Sequence, residues 1–260
     1  MRRAALIERF RPLGWLVARE VLRIFKLWSQ TVVAPILSAF LFILVFGLSL
    51  GGRIKQVDGF DYDAFIVPGL ITMAMAQAAY TNNSSSIFQA RFERYLNDVL
   101  AAPMRAWEVN LAFSLGGAIR ALAIGAGLFA LALPVTGVPV REPLVLVVAV
   151  VLALVLFSSL GVVVGIYAES FDHHSFVNNI VILPLAFLGG VFYSVDSLPS
   201  PWQEVSHLNP VFFLVSAVRY GFLGSADTSI ALALGVTAAL AAGALAWSSY
   251  MFATGSRIKA

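Results

Sequence analysis

Six runs of roughly 20 apolar residues, separated by short polar segments, constrain this chain more than any other feature. Such a run matches the thickness of a bilayer when helical. Backbone polar groups in hydrocarbon must be satisfied internally, which leaves helices as the spanning elements. The runs fall at about Thr31–Leu50, Phe65–Ile87, Glu108–Leu133, Leu144–Ala168, Phe176–Tyr193 and Ile230–Ala253. Only 12% of the 260 residues are charged, against about 25% in soluble proteins, and the mean hydropathy is +0.87. The expected fold is therefore all-α integral membrane, with six transmembrane helices. Residues 30–260 form a single transmembrane domain, because no loop is long enough to hold a second globular unit.

Residues 1–29 precede the first run and carry Arg2, Arg3, Arg9, Arg11, Arg19, Arg23 and Lys26. At helical spacing, Leu13, Val17, Val21, Ile24, Phe25 and Trp28 share one arc, with Arg19, Arg23, Lys26 and Gln30 opposite. This predicts an amphipathic interface helix with its basic face toward anionic lipid, or one packed on a partner subunit. The basic residues sit among others rather than before a short apolar core, so no cleavable signal peptide is expected. With the N-terminus inside, twelve Lys and Arg fall in cytoplasmic segments and four in outer ones, which puts both termini in the cytoplasm. The net charge of +3 is explained by that distribution and needs no nucleic acid. There is no cysteine, hence no disulfide or thiolate metal site.

Between the fifth and sixth runs the rhythm breaks. Residues 184–224 read PLAFLGGVFYSVDSLPSPWQEVSHLNPVFFLVSAVRYGFLG, where Gly189-Gly190, Pro199, Pro201 and Asn209-Pro210 each interrupt a helix. Irregular backbone at membrane depth is tolerated only where protein buries it or water reaches it. A re-entrant helical hairpin between spans five and six, or an ordinary surface loop, fits this pattern. The order and spacing of FLGGVFYS, LP, Trp202, LNP and RYGFLG resembles the signature of type-2 ABC exporter permeases, the family of polysaccharide, nodulation-factor and drug exporters. The resemblance extends in hydropathy over nearly the whole chain. It implies a membrane-spanning subunit that dimerises, with a second copy of itself or a paralogous permease. It also implies two copies of a separate ABC ATPase subunit, with ATP and Mg bound there and no cofactor on this chain. The location implied is the bacterial cell (inner) membrane. The cargo implied is amphipathic, such as a lipid-linked saccharide or a drug.

Two loops are candidates for contact with the ATPase. Gln89–Pro103 reads as a short amphipathic helix with Phe92, Tyr95, Leu96, Val99 and Leu100 on one face and Arg91, Glu93, Arg94 and Asp98 on another. A helix this short is marginal alone, so a partner or the lipid surface must hold it; the family resemblance implies the ATPase groove. Glu169 and Asp172 lie in the second, smaller coupling loop by the same resemblance. The neighbouring His173-His174 pair is poorly spaced to chelate a metal, since adjacent helical positions diverge by about 100°, and reads as a polar contact. Arg120 sits inside the third span, flanked by Gly116, Gly117, Gly125 and Gly127; it lines a pathway, anchors a dimer seam, or snorkels to headgroups. The family places pathway lining on spans two and five, which makes Thr72, Met75, Gln77, Asn178, Asn179, Ile182 and Phe187 candidates, with Gly189 and Gly190 at the gate. No GxxxxGK[ST] loop occurs, so ATP chemistry is not expected on this chain. The rival readings are an ion-gradient-driven secondary transporter and an integral-membrane lipid-modifying enzyme using Glu204, His207 and Arg219. The first lacks carboxylates in its spans, and the second lacks a spacing logic.

Overall fold

The computed structural model describes residues 2–51, 54 and 56–255. Arg53, Lys55, Arg257 and Lys259 of the charge count lie outside the described residues, as does the side chain of His174. The described residues are mostly helical, with one short two-stranded antiparallel ribbon among them, β1 Gln56–Val57 with β2 Phe60–Asp61. The helices are α1 Arg2–Lys26, α2 Ala34–Leu50, α3 Tyr62–Phe92, α4 Leu96–Ala101, α5 Ala106–Thr136, α6 Pro143–Tyr167, α7 Phe171–Val177, α8 Leu183–Leu188, α9 Ser200–Leu208, α10 Pro210–Leu223 and α11 Ile230–Thr254. Wide π turns at Ser29–Val33 and Asn178–Ile182 join α1 to α2 and α7 to α8.

Among the described residues, five helices are long and apolar enough to cross a membrane: Ser29–Ser49, α3, α5, α6 and α11. The expected fifth span appears as a shorter apolar helix, Ser175–Leu188, which rises roughly 21 Å at 1.5 Å per residue. α10 is equally short.

α3 is the axis of the bundle, enclosed by α5 and α6 and flanked by α2 and α10. Small residues set these approaches. A Cβ on Gly161 of α6 would lie 2.5 Å from the Tyr80 carbonyl, and one on Gly117 of α5 would lie 2.4 Å from Asn83 Oδ1. One large cluster of buried apolar side chains fills the centre, including Phe65, Leu70, Leu128, Phe157 and Leu214. A smaller one, with Leu16, Leu96, Phe113 and Phe252, fills the end where α1, α4 and the C-terminus of α6 meet.

Two expectations change here. The second span does not end at Ile87: α3 continues unbroken to Phe92, and the polar Asn82, Asn83, Ser84 and Ser86 are buried within it. The helix expected over 89–103 is divided accordingly. Its first residues prolong α3, Arg94 turns the chain at φ 63°, and only Leu96–Ala101 forms α4.

Candidate functional site

The buried polar residues of α3 explain the placement of α1. Glu20 is fully buried, and Ser86 Oγ donates to its Oε2 at 2.7 Å. Arg23 Nη2 lies 3.4 Å from the same carboxylate and donates to Asn82 Oδ1 at 3.1 Å and to the Asn82 carbonyl at 3.0 Å. Asn82 in turn donates to Asn83, and Asn83 Nδ2 donates to the Ser158 carbonyl of α6 at 3.1 Å. Gly116 makes room on α5, since a Cβ there would stand 2.8 Å from Glu20 Cβ. A carboxylate taken from water this completely requires such partners. The expected division of α1 is corrected in part: Arg19 and Arg23 pair with the buried Glu20, Lys26 and Gln30 remain exposed, and Trp15, Leu22, Phe25 and Trp28 are exposed with them. Ion pairing with a buried acid outweighs the simple division into basic and apolar faces.

The corner between α3 and α4 is held from three sides. Arg91 Nη1 donates to the carbonyls of Ile166 and, at 3.1 Å, Ala168, so it caps the C-terminus of α6. Leu96 is buried, with Tyr95, Val99 and Leu100 half-buried beside it. The Arg19 guanidinium sits 3.9 Å from the centroid of the Tyr95 ring. Burial raises the Tyr95 phenol above its ordinary value, and Arg19 opposes this. Phe92 departs from the expected apolar face. It is 66% exposed at the last position of α3, before the turn, and stacks on Phe88 at 6.0 Å. Glu93, Arg94 and Asp98 are exposed around it, with Gln89 Nε2 donating to Glu93 Oε1 at 2.7 Å. Glu169 and Asp172 are exposed on the loop and helix that follow α6.

At the opposite end, the motif residues of the broken stretch act on one another. Arg219 is 1% exposed: its Nη1 donates to Asp227 Oδ2 at 2.7 Å, its Nη2 to the Gly190 carbonyl, and its guanidinium lies 4.0 Å from the Phe65 ring centroid. Ser194 Oγ donates to the other Asp227 oxygen at 2.9 Å. Burial pushes the Asp227 carboxyl up, and Arg219 is the main opposing influence. Asn209 caps α10 by accepting from the Val211 N–H at 2.9 Å, and its amide donates to the Leu185 carbonyl of α8. Gly190 adopts φ +77°, a region that glycine occupies without strain. Gly189 is packed against α10: a Cβ there would lie 3.2 Å from the Phe212 nitrogen. α10 runs beside the first half of α6, with Val211 and Leu156 lining one cavity and Gly221 against Leu146. Arg219 is thus enclosed rather than open to a substrate, and the trio with Glu204 and His207 is not assembled, since both of those side chains are exposed on α9.

The pathway candidates separate into interior and surface. Thr72 donates to the Pro68 carbonyl inside the bundle, Met75 packs where a Cβ on Gly125 would meet it at 2.4 Å, and Ile182 is buried. Phe187 is partly exposed and stacks on Phe192 at 5.3 Å. Asn178 donates to Asn179 at 3.1 Å on the face of the second π turn. Arg120 is half-buried, and its Nε donates to the Thr31 carbonyl at 2.9 Å. It closes one side of a cleft of about 370 Å³ between α2 and α3, where Gln30, Ser38, Gln77 and Thr81 supply polar groups. Sequence reasoning missed Glu20, Ser86, Asn82, Ser194 and Asp227. The signal for two of them, Asn82 and Ser86, was a polar hexapeptide inside a helical apolar run, which requires a buried partner.

Comparison with known proteins agrees with this architecture. The family described as ABC-2 type transporter matches residues 11–223. The chain is 40% identical to the inner membrane transport permease YadH of Escherichia coli strain K12 over 219 residues, covering 84% of this chain and 86% of that protein. It is 26% identical to nodulation protein J of Rhizobium leguminosarum bv. viciae over 229 residues, covering 86% and 88%. The corresponding protein of Sinorhizobium fredii strain NBRC 101917 is 27% identical over 240 residues, covering 89% of each. On the match to most of its length, and with membrane-spanning helices built around a buried α3, the chain belongs to the ABC-2 type transporter family and is one of its membrane permeases.

Proposed function

We propose that this permease is the membrane half of an ATP-driven exporter, acting as a dimer with two ATPase subunits and moving an amphipathic cargo outward across the bacterial inner membrane. The observation that carries the reading is the α3–α4 corner. It is braced by Arg91, Leu96 and Tyr95 yet presents Phe92, Glu93, Arg94 and Asp98 outward. An exposed aromatic ringed by charges of both signs on a rigid corner is the composition of a protein-binding surface. The ATPase docks there, with Glu169 and Asp172 nearby as a second contact. Because α3 is continuous from this corner through the bundle, movement of the corner moves the central helix.

Residues 30–260 then act as one six-crossing domain with both termini cytoplasmic. Ser175–Leu188 is too short to cross alone. Its crossing is completed by 189–195, where Gly189, Gly190, Val191, Ser194 and Val195 are enclosed by protein, the condition under which irregular backbone is tolerated at depth. α9 and α10 form the re-entrant hairpin, since α10 begins level with the middle of α6 and ends beside its start. The pathway follows the cleft at Arg120 and Gln77 and the π turn at Asn178 and Asn179, which the dimer partner encloses. In that scheme Thr72, Met75 and Ile182 shape the wall from behind.

The test is charge reversal. Glu93→Arg and Arg94→Glu should abolish transport and lower ATPase co-purification at least about tenfold, as expected where a docked charge meets its like, with membrane insertion unchanged. Normal co-purification and transport in both variants would remove the corner from the interface.

A further inference from the structure

Arg120 is a charge that the fold leaves unbalanced. It is the fifteenth of the 31 residues of α5, inside an apolar span. Only its Nε is engaged, donating to the Thr31 carbonyl at 2.9 Å. Its two terminal nitrogens donate to no group among the described residues, and they are not enclosed: they stay open to the cleft of about 370 Å³ between α2 and α3. Among the described residues no carboxylate pairs with Arg120 and none lines the cleft. Arg23, whose field reaches it, is also a cation. A cation inside a span is costly without a partner, and one that faces a cavity marks the path of a ligand.

The cleft is graded from polar to apolar. Arg120 stands at the end lined by Gln30 and Thr81, since the carbonyl it holds belongs to the residue after Gln30. Phe42 lies twelve residues further along the same helical run, roughly 18 Å at 1.5 Å per residue. Met73 lies eight residues before Thr81 on α3. Small side chains, Ala39, Ala74 and Ala78 among them, line the space between. A cavity with unused N–H donors at one end and hydrocarbon at the other fits an amphiphile lying along it. The guanidinium selects the head: its fork matches two oxygens of one carboxylate or phosphate, and such charge-assisted bonds are about twice as strong as neutral ones. An oxyanion also supplies the missing counter-charge. We infer that this cleft, taken as part of the pathway proposed above, binds an anionic amphiphile, its oxyanion head on the terminal nitrogens of Arg120 and one apolar chain running past Ala39 and Ala74 toward Phe42.

The test uses the full chain in nanodiscs of phosphatidylcholine, doped with hexadecyl phosphate that carries a diazirine on its chain. Saturable photolabelling confined to residues 34–42 and 73–81 is expected. Unlabelled hexadecyl phosphate should compete, and hexadecanol, which has the chain without the charge, should not. Arg120→Gln should weaken labelling at least about tenfold, as for a lost hydrogen bond to a charged group. Arg120→Lys should retain part of it, having the charge without the fork. Lys26→Gln, exposed on α1 outside the cleft, should change nothing. Equal competition by phosphatidylglycerol identifies a bilayer lipid as the source of the oxyanion, and no competition identifies a single-chain cargo; either result supports the site. Equal competition by hexadecanol, or labelling that rises linearly with lipid and spreads to α6 and α11, would overturn it, and neither needs a variant. The readout requires no ATPase, so failure of this site and failure of the docking corner are told apart.

Discussion

Arg219 is a charge that a sequence reading sends to the wrong place. In an aromatic-rich segment at the end of a membrane helix, arginine commonly reaches headgroups. Here it is enclosed and ties three separate pieces of chain: the Gly190 carbonyl, Asp227 and the Phe65 ring. Asp227→Ala leaves that guanidinium buried without its counter-ion, which should cost about 3–5 kcal/mol, measured by denaturation of the detergent-solubilised chain. Replacing both residues by leucine should cost clearly less, since no charge is then stranded. The motif positions were legible as important from their spacing, but their partner was not. Asp227 lies eight residues beyond Arg219, past the helix end, and no periodicity connects them. Arg91 teaches the same lesson: it was legible as a polar corner residue, and its target, the carbonyl end of α6, belongs to tertiary structure alone.

At the level of the helices, sequence and structure agree where apolar runs are long. The fourth and sixth expected spans match α6 and α11 to within a residue at either end. They part where the helix runs through polar sequence, because Asn82, Asn83 and Ser86 are satisfied by α1 and α6 rather than by water. The left-handed Arg94 was not legible either, since φ > 0 is uncommon for such a residue. What packs α3 into its sleeve is the absence of side chains on its neighbours. Gly161→Val must push a backbone carbonyl of α3 aside and should destabilise by about 1–3 kcal/mol, read from thermal unfolding in detergent. Gly235→Ala, on the open face of α11 with nothing within 4 Å, should be neutral or stabilise by up to about 1 kcal/mol.

For the whole molecule, the charge count and the fold make a joint prediction about sidedness. Ser197 and Ser200 are exposed at the start of the α9–α10 hairpin, and Asp98 is exposed on α4 at the other end. In this cysteine-free chain, Ser197→Cys and Ser200→Cys should react with an impermeant thiol reagent on intact cells, and Asp98→Cys only after permeabilisation. The reverse pattern would invert the molecule and place the proposed docking corner outside. The wide turn at Ser29–Val33 has a quieter consequence. It holds one residue more than an α-helix of the same rise, and that surplus sets the rotational phase of α1 against everything after it. Loss of a single codon there would let α1 and α2 merge into one regular rod and swing α1 through about 100°. Glu20 and Arg23 would be carried away from Ser86 and Asn82, and Phe25 toward the space they left. Substitutions along those five positions leave this phase alone, so what they conserve across relatives should be their number more than their identity.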